Sequence, residues 1–305
     1  MVLDLRPAPL QIIPFDSATK LQKEALNFKE VVIHSKLKQF EKQVDHSGLS
    51  IKMALRGEEF YNFSGTHVLT DPEHFIIANE GDSFTCHIDD EDQVEAFCLY
   101  LDPESLRQAI QSRSLALDSL LDHEEVPRLE VAPFPAFQHS IRQHAFGLYL
   151  QNLKEQLLAG EDFSNEHLFF EEITEQLADY YLSFYNKLRN IPSKKQSTKV
   201  ELLRRLEIAY DYIQSNYQQA IQLDELARVA TLSKFHLLRT FRSVYQVTPY
   251  QLVLQLRLSK AKELLLQGEL IERIAFQLGF SDRRSFTKAF RRHFAQSPSA
   301  FRAQN

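Results

Sequence analysis

Along the first hundred residues, apolar and aromatic side chains come in short runs that stop at turn residues. The runs Val31 to His34, Leu49 to Leu55, Phe60 to Phe63, His67 to Leu69, His74 to Ala78, Phe84 to Ile88 and Val94 to Leu101 have strand length. Between them, Arg56-Gly57-Glu58, Ser64-Gly65-Thr66 and Asn79-Glu80-Gly81-Asp82 supply residues that accept positive φ, as hairpin turns require. Many short strands at close spacing predict an antiparallel sandwich or small barrel. The pattern ends at Asp102-Pro103, where Asp caps and Pro opens a helix. From Phe137 to Leu158 and from Glu166 to Leu188 the period becomes helical. Phe137, Ile141, Ala145 and Leu148 fall on one face of the first segment. In the second, Phe169, Ile173, Leu177, Tyr180, Phe184 and Leu188 form an aromatic stripe about six turns long. Such a stripe packs either on the β-structure or on a second subunit, and its length beside a linker points to a subunit interface. The polar, Pro-broken stretch from Ile191 to Thr198 reads as that linker.

The last hundred residues contain a duplication. Phe241-Arg242-Ser243-Val244-Tyr245-Gln246-Val247-Thr248-Pro249 and Phe290-Arg291-Arg292-His293-Phe294-Ala295-Gln296-Ser297-Pro298 follow one template: Phe, Arg, two variable residues, an aromatic, two variable residues, a hydroxyl residue and Pro. Upstream, Leu226-Ala227, Ala230 and Leu232-Ser233 correspond to Ile274-Ala275, Leu278 and Phe280-Ser281. Each unit parses as helix, tight turn, helix. In the first, Asp224 is expected to cap the short helix and Ser233 the second, while Leu237 and Phe241 face the core. In the second, Gly279 supplies the positive-φ turn, Ser281 or Asp282 caps, and Phe286, Phe290 and Phe294 are buried. Thr248-Pro249 and Ser297-Pro298 start further helices, and Tyr250 to Gln267 forms a rigid helical spacer of about 27 Å that stops at Gly268.

Charge sharpens this picture. The chain has 305 residues and a net charge of −6. From Lys199 onward it carries 17 Lys and Arg against 9 Asp and Glu, net +8; the preceding part carries 18 against 32, net −14. A basic segment behind an acidic one suggests that the C-terminal part meets a polyanion. Its cations lie on the outward faces of the second helix of each unit. They are Lys234, Arg239 and Arg242, with Phe235 and Leu238, in the first, and Arg283, Arg284, Lys288, Arg291 and Arg292, with Ser285, in the second. Two such helices suit successive major-groove segments of double-stranded DNA, about one helical turn or 34 Å apart.

The stretch from Leu226 to Arg302 resembles the DNA-binding domain of the AraC/XylS family of bacterial transcription regulators. The resemblance is carried most specifically by Ile274-Ala275, Gly279-Phe280-Ser281, Phe286, Lys288, Phe290-Arg291-Arg292, Ser297-Pro298 and Phe301-Arg302. It implies seven helices in two helix-turn-helix units joined by a long helix. It also implies a homodimeric regulator with RNA polymerase as a partner, in which Arg239 reads a base edge while Phe235 and Leu238 touch thymine methyls. Thr231, Gln246 and Ala295 depart from the family, which often has Gly there; strained or different turns are expected at these positions. The N-terminal part is similar in layout to cupin-like effector domains, which implies a small-molecule effector whose contacts no residue pattern identifies.

The expected fold is therefore multi-domain α+β. Residues 1–130 form a cupin-like antiparallel β-barrel, 131–190 are helical and suited to dimerisation, 191–198 are a linker, and 199–305 are an all-α double helix-turn-helix domain. A cupin-type enzyme with an accessory DNA-binding domain is the rival. It is disfavoured because His67, His74 and His87 form no His-x-His set, and no catalytic constellation, metal site or cofactor motif is present. Cys86 and Cys98 have no metal or redox spacing and read as small buried hydrophobes. The chain lacks an apolar run of 18 residues, and Asp4, Arg6 and three prolines before Phe15 are unlike a signal peptide, so the expected location is cytoplasmic, away from membranes.

Overall fold

The computed structural model describes residues 10, 12–16, 30–114, 131–161 and 163–304. The chain divides into two compact units, Met1–Asn186 and Lys187–Asn305. No helix among the described residues is long and apolar enough to cross a membrane.

In the first unit the described strands are β1 (Ile12–Asp16), β2 (Val31–Val44), β3 (Ser50–Arg56), β4 (Glu59–Phe63), β5 (Thr66–Thr70), β6 (His74–Ala78), β7 (Phe84–Tyr100) and β8 (Gln138–Ser140). They form one sheet in the order β1-β2-β7-β3-β6-β8, with β4 joined to β7 and β5. The path is open, so the expected barrel is not closed among the described strands. It is also mixed, because β1 runs parallel to β2 while the remaining pairs are antiparallel. The two runs separated at Asp89 are one 17-residue strand, β7, which pairs with β2, β3 and β4 and is the spine of the sheet. Its pairing with β2 shifts between Leu37 and Gln39, and its pairing with β3 shifts between Ala54 and Arg56. Such irregularities bend a strand and increase its twist. The bend leaves no room for a side chain at Gly57 (φ 77°), where a Cβ would lie 2.8 Å from Val94 Cγ2.

Three helices follow: α1 (Pro103–Ser114), α2 (Ala145–Ala159) and α3 (Glu166–Arg189). Arg113 on α1 pairs with Glu175 and with Asp179 (2.6 Å) on α3. Two sequence expectations fail here. The segment expected to be helical from Phe137 begins as strand β8, so Phe137 and Ile141 are buried off the helix, while Ala145 and Leu148 are exposed. The buried face of α2 is instead Phe146, Leu150, Leu153 and Leu157, and Gly147 packs against the Ile141 backbone. The stripe on α3 is not open to a second subunit. Each of its six residues is at most 5% exposed. Tyr180 and Phe184 meet the rings of Phe134, Phe137 and His139, and Tyr180 also meets Phe75 and Phe146.

The second unit is all helical: α4 (Gln196–Asn216), α5 (Leu223–Val229), α6 (Lys234–Tyr245), α7 (Pro249–Leu266), α8 (Ile271–Gln277), α9 (Arg283–Phe294) and α10 (Pro298–Gln304). The last turn of α3 already belongs to this unit, and α4 starts inside the stretch read as linker. Its local signals match the sequence closely. Thr248 and Gln251 form a reciprocal capping box ahead of Pro249, and Ser297 Oγ accepts from the Ala300 amide at 3.1 Å. Thr231 (φ 52°), Gln246 (φ 61°) and Ala295 (φ 58°) keep the left-handed turn that glycine would adopt.

Two consequences are measurable by thermal unfolding. Phe184→Ala removes a fully buried ring and should destabilise the first unit by about 3–5 kcal/mol; a change below about 1 kcal/mol would mean that the stripe is not core. Thr231→Gly, Gln246→Gly and Ala295→Gly should each stabilise the second unit by about 1 kcal/mol, most at β-branched Thr231, and uniform destabilisation would contradict the left-handed turns.

Candidate nucleic-acid interface

The first helix-turn-helix is α5, the turn at 230–233 and α6. Asp224 does not cap α5, which starts one residue before it after Gln222; its carboxylate instead meets Lys234 Nζ at 2.8 Å. The turn is closed by the Leu232 amide donating to Ala227 O at 2.9 Å, and Ser233 Oγ caps α6 by accepting from the His236 amide at 3.3 Å. Leu237, Thr240, Phe241 and Val244 are buried. Every candidate on this helix is therefore on the open face: Lys234, Phe235 (76% exposed), Leu238 (37%), Arg239 and Arg242. His236, which sequence reasoning did not single out, shares that exposure.

The second unit repeats the plan with α8, the Gly279 turn and α9. The Phe280 amide donates to Ala275 O at 2.9 Å. Asp282 rather than Ser281 is the cap, accepting from the Ser285 amide at 2.6 Å, and that hydrogen bond leads the causes that hold its carboxyl below the usual range. The Ser285 hydroxyl is committed to this cap: it accepts from the Asp282 amide and donates to Asp282 O at 2.8 Å. Phe286 and Phe290 are buried, while Arg283, Arg284, Lys288, Arg291 and Arg292 line an open groove with Thr287. Arg283 is paired with Glu272 at 3.2 Å. The other four make no ion pair among the described residues, nor do Arg239 and Arg242, so their charge is available to an anion. The two faces differ: α6 mixes cations with two exposed apolar side chains, whereas the α9 groove is cationic and polar throughout.

The turn that launches α9 is anchored by a residue that no motif flagged. Arg257, in the middle of the 18-residue α7, donates from Nε to Tyr217 O (2.6 Å) and from its two terminal nitrogens to Gly279 O (2.6 Å) and Gln219 O (2.8 Å), and lies over the Phe280 ring. It thus ties the end of α4 to the turn that aims α9. Gly279 is required on two counts. Its φ is +69°, and a Cβ there would lie 2.3 Å from Gln218 O.

Comparison with known proteins agrees with these two units. Residues 226–304 match the model of a helix-turn-helix domain, and residues 33–177 match that of an AraC-like ligand binding domain. The chain is 32% identical over 123 residues to the raffinose operon transcriptional regulatory protein RafR of Pediococcus pentosaceus, covering 40% of this chain and 44% of that protein. It is 23% identical over 227 residues to the uncharacterized HTH-type transcriptional regulator YbfI of Bacillus subtilis, covering 74% of each. The matched stretch is thus less than half the length of the first of these relatives. Among solved structures, the C-terminal domain of AraT, a response regulator from Geobacillus stearothermophilus, is 29% identical over 33% of this chain and 85% of that one, with a TM-score of 0.32. With both an AraC-like ligand binding domain and the paired helix-turn-helix units in one polypeptide, the chain belongs to the AraC/XylS family of transcription regulators.

Proposed function

We propose that the chain is a sequence-specific regulator of transcription that binds double-stranded DNA as a homodimer, responds to a small molecule held in its β-rich unit, and acts with RNA polymerase. The observation that carries the DNA reading is the pair of exposed helix faces whose cations, Arg239, Arg242, Arg284, Lys288, Arg291 and Arg292, have no carboxylate partner among the described residues. Unpaired arginines and lysines on two turn-anchored helices favour a polyanion, because each phosphate they neutralise releases counterions.

The faces suggest a division of labour. On α6, Arg239 has the fork that fits guanine O6 and N7, and Phe235 and Leu238 suit thymine methyls, so this helix supplies base discrimination. On α9, Arg283, Arg284, Lys288, Arg291 and Arg292 supply attraction and register through phosphates, with sequence information secondary. Ser285 is retained only as a cap that fixes the start of α9. Dimer formation cannot use the buried α3 stripe; Leu148 and Leu158 on α2 and Leu168 on α3 are the large apolar side chains left exposed on these helices. A cupin-type enzyme is the rival class, and the described histidines lend it no support: His67 and His87 are exposed, and His74 is bonded to Asp71.

The test uses the full chain and duplexes selected from random DNA. Arg239→Ala should cost about 1–3 kcal/mol on the selected site and relax preference at one position. Lys288→Ala should weaken all duplexes alike and reduce the salt slope by about one. Uniform weakening by Arg239→Ala would make it a phosphate contact, and salt-independent binding would defeat the electrostatic reading.

A further inference from the structure

The interior of the β-rich unit contains a cation that the fold does not need. Lys52 lies in mid-β3 between Ile51 and Met53, only 6% exposed. Its ammonium donates to Cys98 Sγ at 3.1 Å and lies 5.2–5.8 Å from the ring centres of Phe84, Tyr100 and Tyr61. No carboxylate is within ion-pair distance among the described residues. The nearest candidate, Glu59, is itself buried and accepts from the Tyr61 hydroxyl at 2.9 Å. Burial pushes the Glu59 carboxyl up, against the opposing pull of Tyr61 and Lys52. Burial disfavours the Lys52 ammonium, but Cys98 and Tyr100 outweigh that penalty and hold it above its ordinary value, so the interior keeps a cation with no carboxylate beside it among the described residues.

A second, independent observation lies two residues along the same strand. Ser50 is fully buried, and its hydroxyl has no hydrogen-bond partner among the described residues. Ser50 stands opposite Tyr100, and Lys52 opposite Cys98, in the β3–β7 pairing, so all four side chains share one face of the sheet. The same face carries the small residues Ala54 and Ala96, directly paired or next in register, and Ala78 opposite Ser50 on β6. A hydroxyl without a partner and an ammonium held by a thiol rather than a carboxylate, flanked by small residues and aromatic walls, leave room in their bonding for an anion.

We propose that this face binds a small anion, a carboxylate or phosphate ester, with Lys52 as counter-charge, Ser50 as hydrogen-bond partner and the Tyr61, Phe84 and Tyr100 rings as walls. This rests on reading the β-rich unit as an effector domain and names the chemical class of its ligand. Cys98, which reads from sequence as a buried hydrophobe, becomes the group that holds Lys52 in place when the site is empty.

The experiment is isothermal titration and thermal unfolding of the full chain with gluconate, glucose 6-phosphate and glucose, in wild type, Lys52→Met and Ser50→Ala. Wild type should bind at least one of the two anions about tenfold or more tighter than glucose, and which one distinguishes carboxylate from phosphate. Lys52→Met should abolish that preference while its unfolding midpoint stays level or rises, because a buried unpaired charge has been replaced by an apolar chain. Ser50→Ala should weaken anion binding several-fold. Lys52→Arg, which keeps the charge, should retain the preference even if Lys52→Met does not fold. Absence of anion binding, equal binding by Lys52→Met, or a markedly lowered midpoint in a folded Lys52→Met overturns the site. Binding of glucose alone, untouched by Lys52→Met, also overturns it but leaves the effector reading standing, and DNA binding measured on the same samples reports separately on the regulator.

Discussion

The C-terminal unit depends on one guanidinium. Arg257 reaches from the middle of α7 to three backbone carbonyls, Tyr217, Gln219 and Gly279, that belong to segments far apart in sequence. Hydrogen bonds to a charged donor are among the stronger ones, and a planar fork that meets three fixed acceptors has little freedom left. The carbonyls it holds border the turn that launches α9. The start of α9 is therefore tied to α7 and to the end of α4, and Gly279 makes that approach sterically possible.

The N-terminal unit is organised by a different constraint. Strand β7 pairs with three partners and bends where its register shifts, so one strand presents Phe84 and Cys86 near one end and Cys98 and Tyr100 near the other to a common interior. Aromatic side chains then play two roles. Around His139 they make a dry core with α3, in which Tyr180 bonds His139 Nδ1 at 2.6 Å. Around Lys52 they enclose an ammonium that bonds Cys98.

Much of this was legible in the residues. The duplication, the caps at Ser233, Asp282, Thr248 and Ser297, and the outward cations of α6 and α9 all follow from local rules of spacing and capping, and the structure agrees with them. What failed depends on tertiary partners. An apolar stripe on a helix says that something covers it, not what, so Phe169 to Leu188 could not be assigned to core or to dimer by periodicity alone. Phe137 and Ile141 obey a helical step by coincidence, because a three-residue strand interrupts the segment. Thr231, Gln246 and Ala295 look like departures from a glycine pattern, yet the backbone at each is left-handed. Arg257 and Lys52 leave no local signal: one is a helix arginine and the other a strand lysine until the pairing shows what surrounds them.

The central proposal is that α6 and α9 engage DNA together and that Arg257, by anchoring the turn ahead of α9, fixes their spacing. The direct measurement is the affinity of the full chain for its selected duplex and for the same duplex with about five base pairs, half a helical turn, inserted between the two recognised elements. It is made in wild type and in Arg257→Ala. The account predicts that wild type falls to the affinity of a single element on insertion, whereas Arg257→Ala binds the parent duplex more weakly but loses much less on insertion. A wild type that tolerates the insertion, or an Arg257→Ala protein that is as sensitive as wild type, would contradict it.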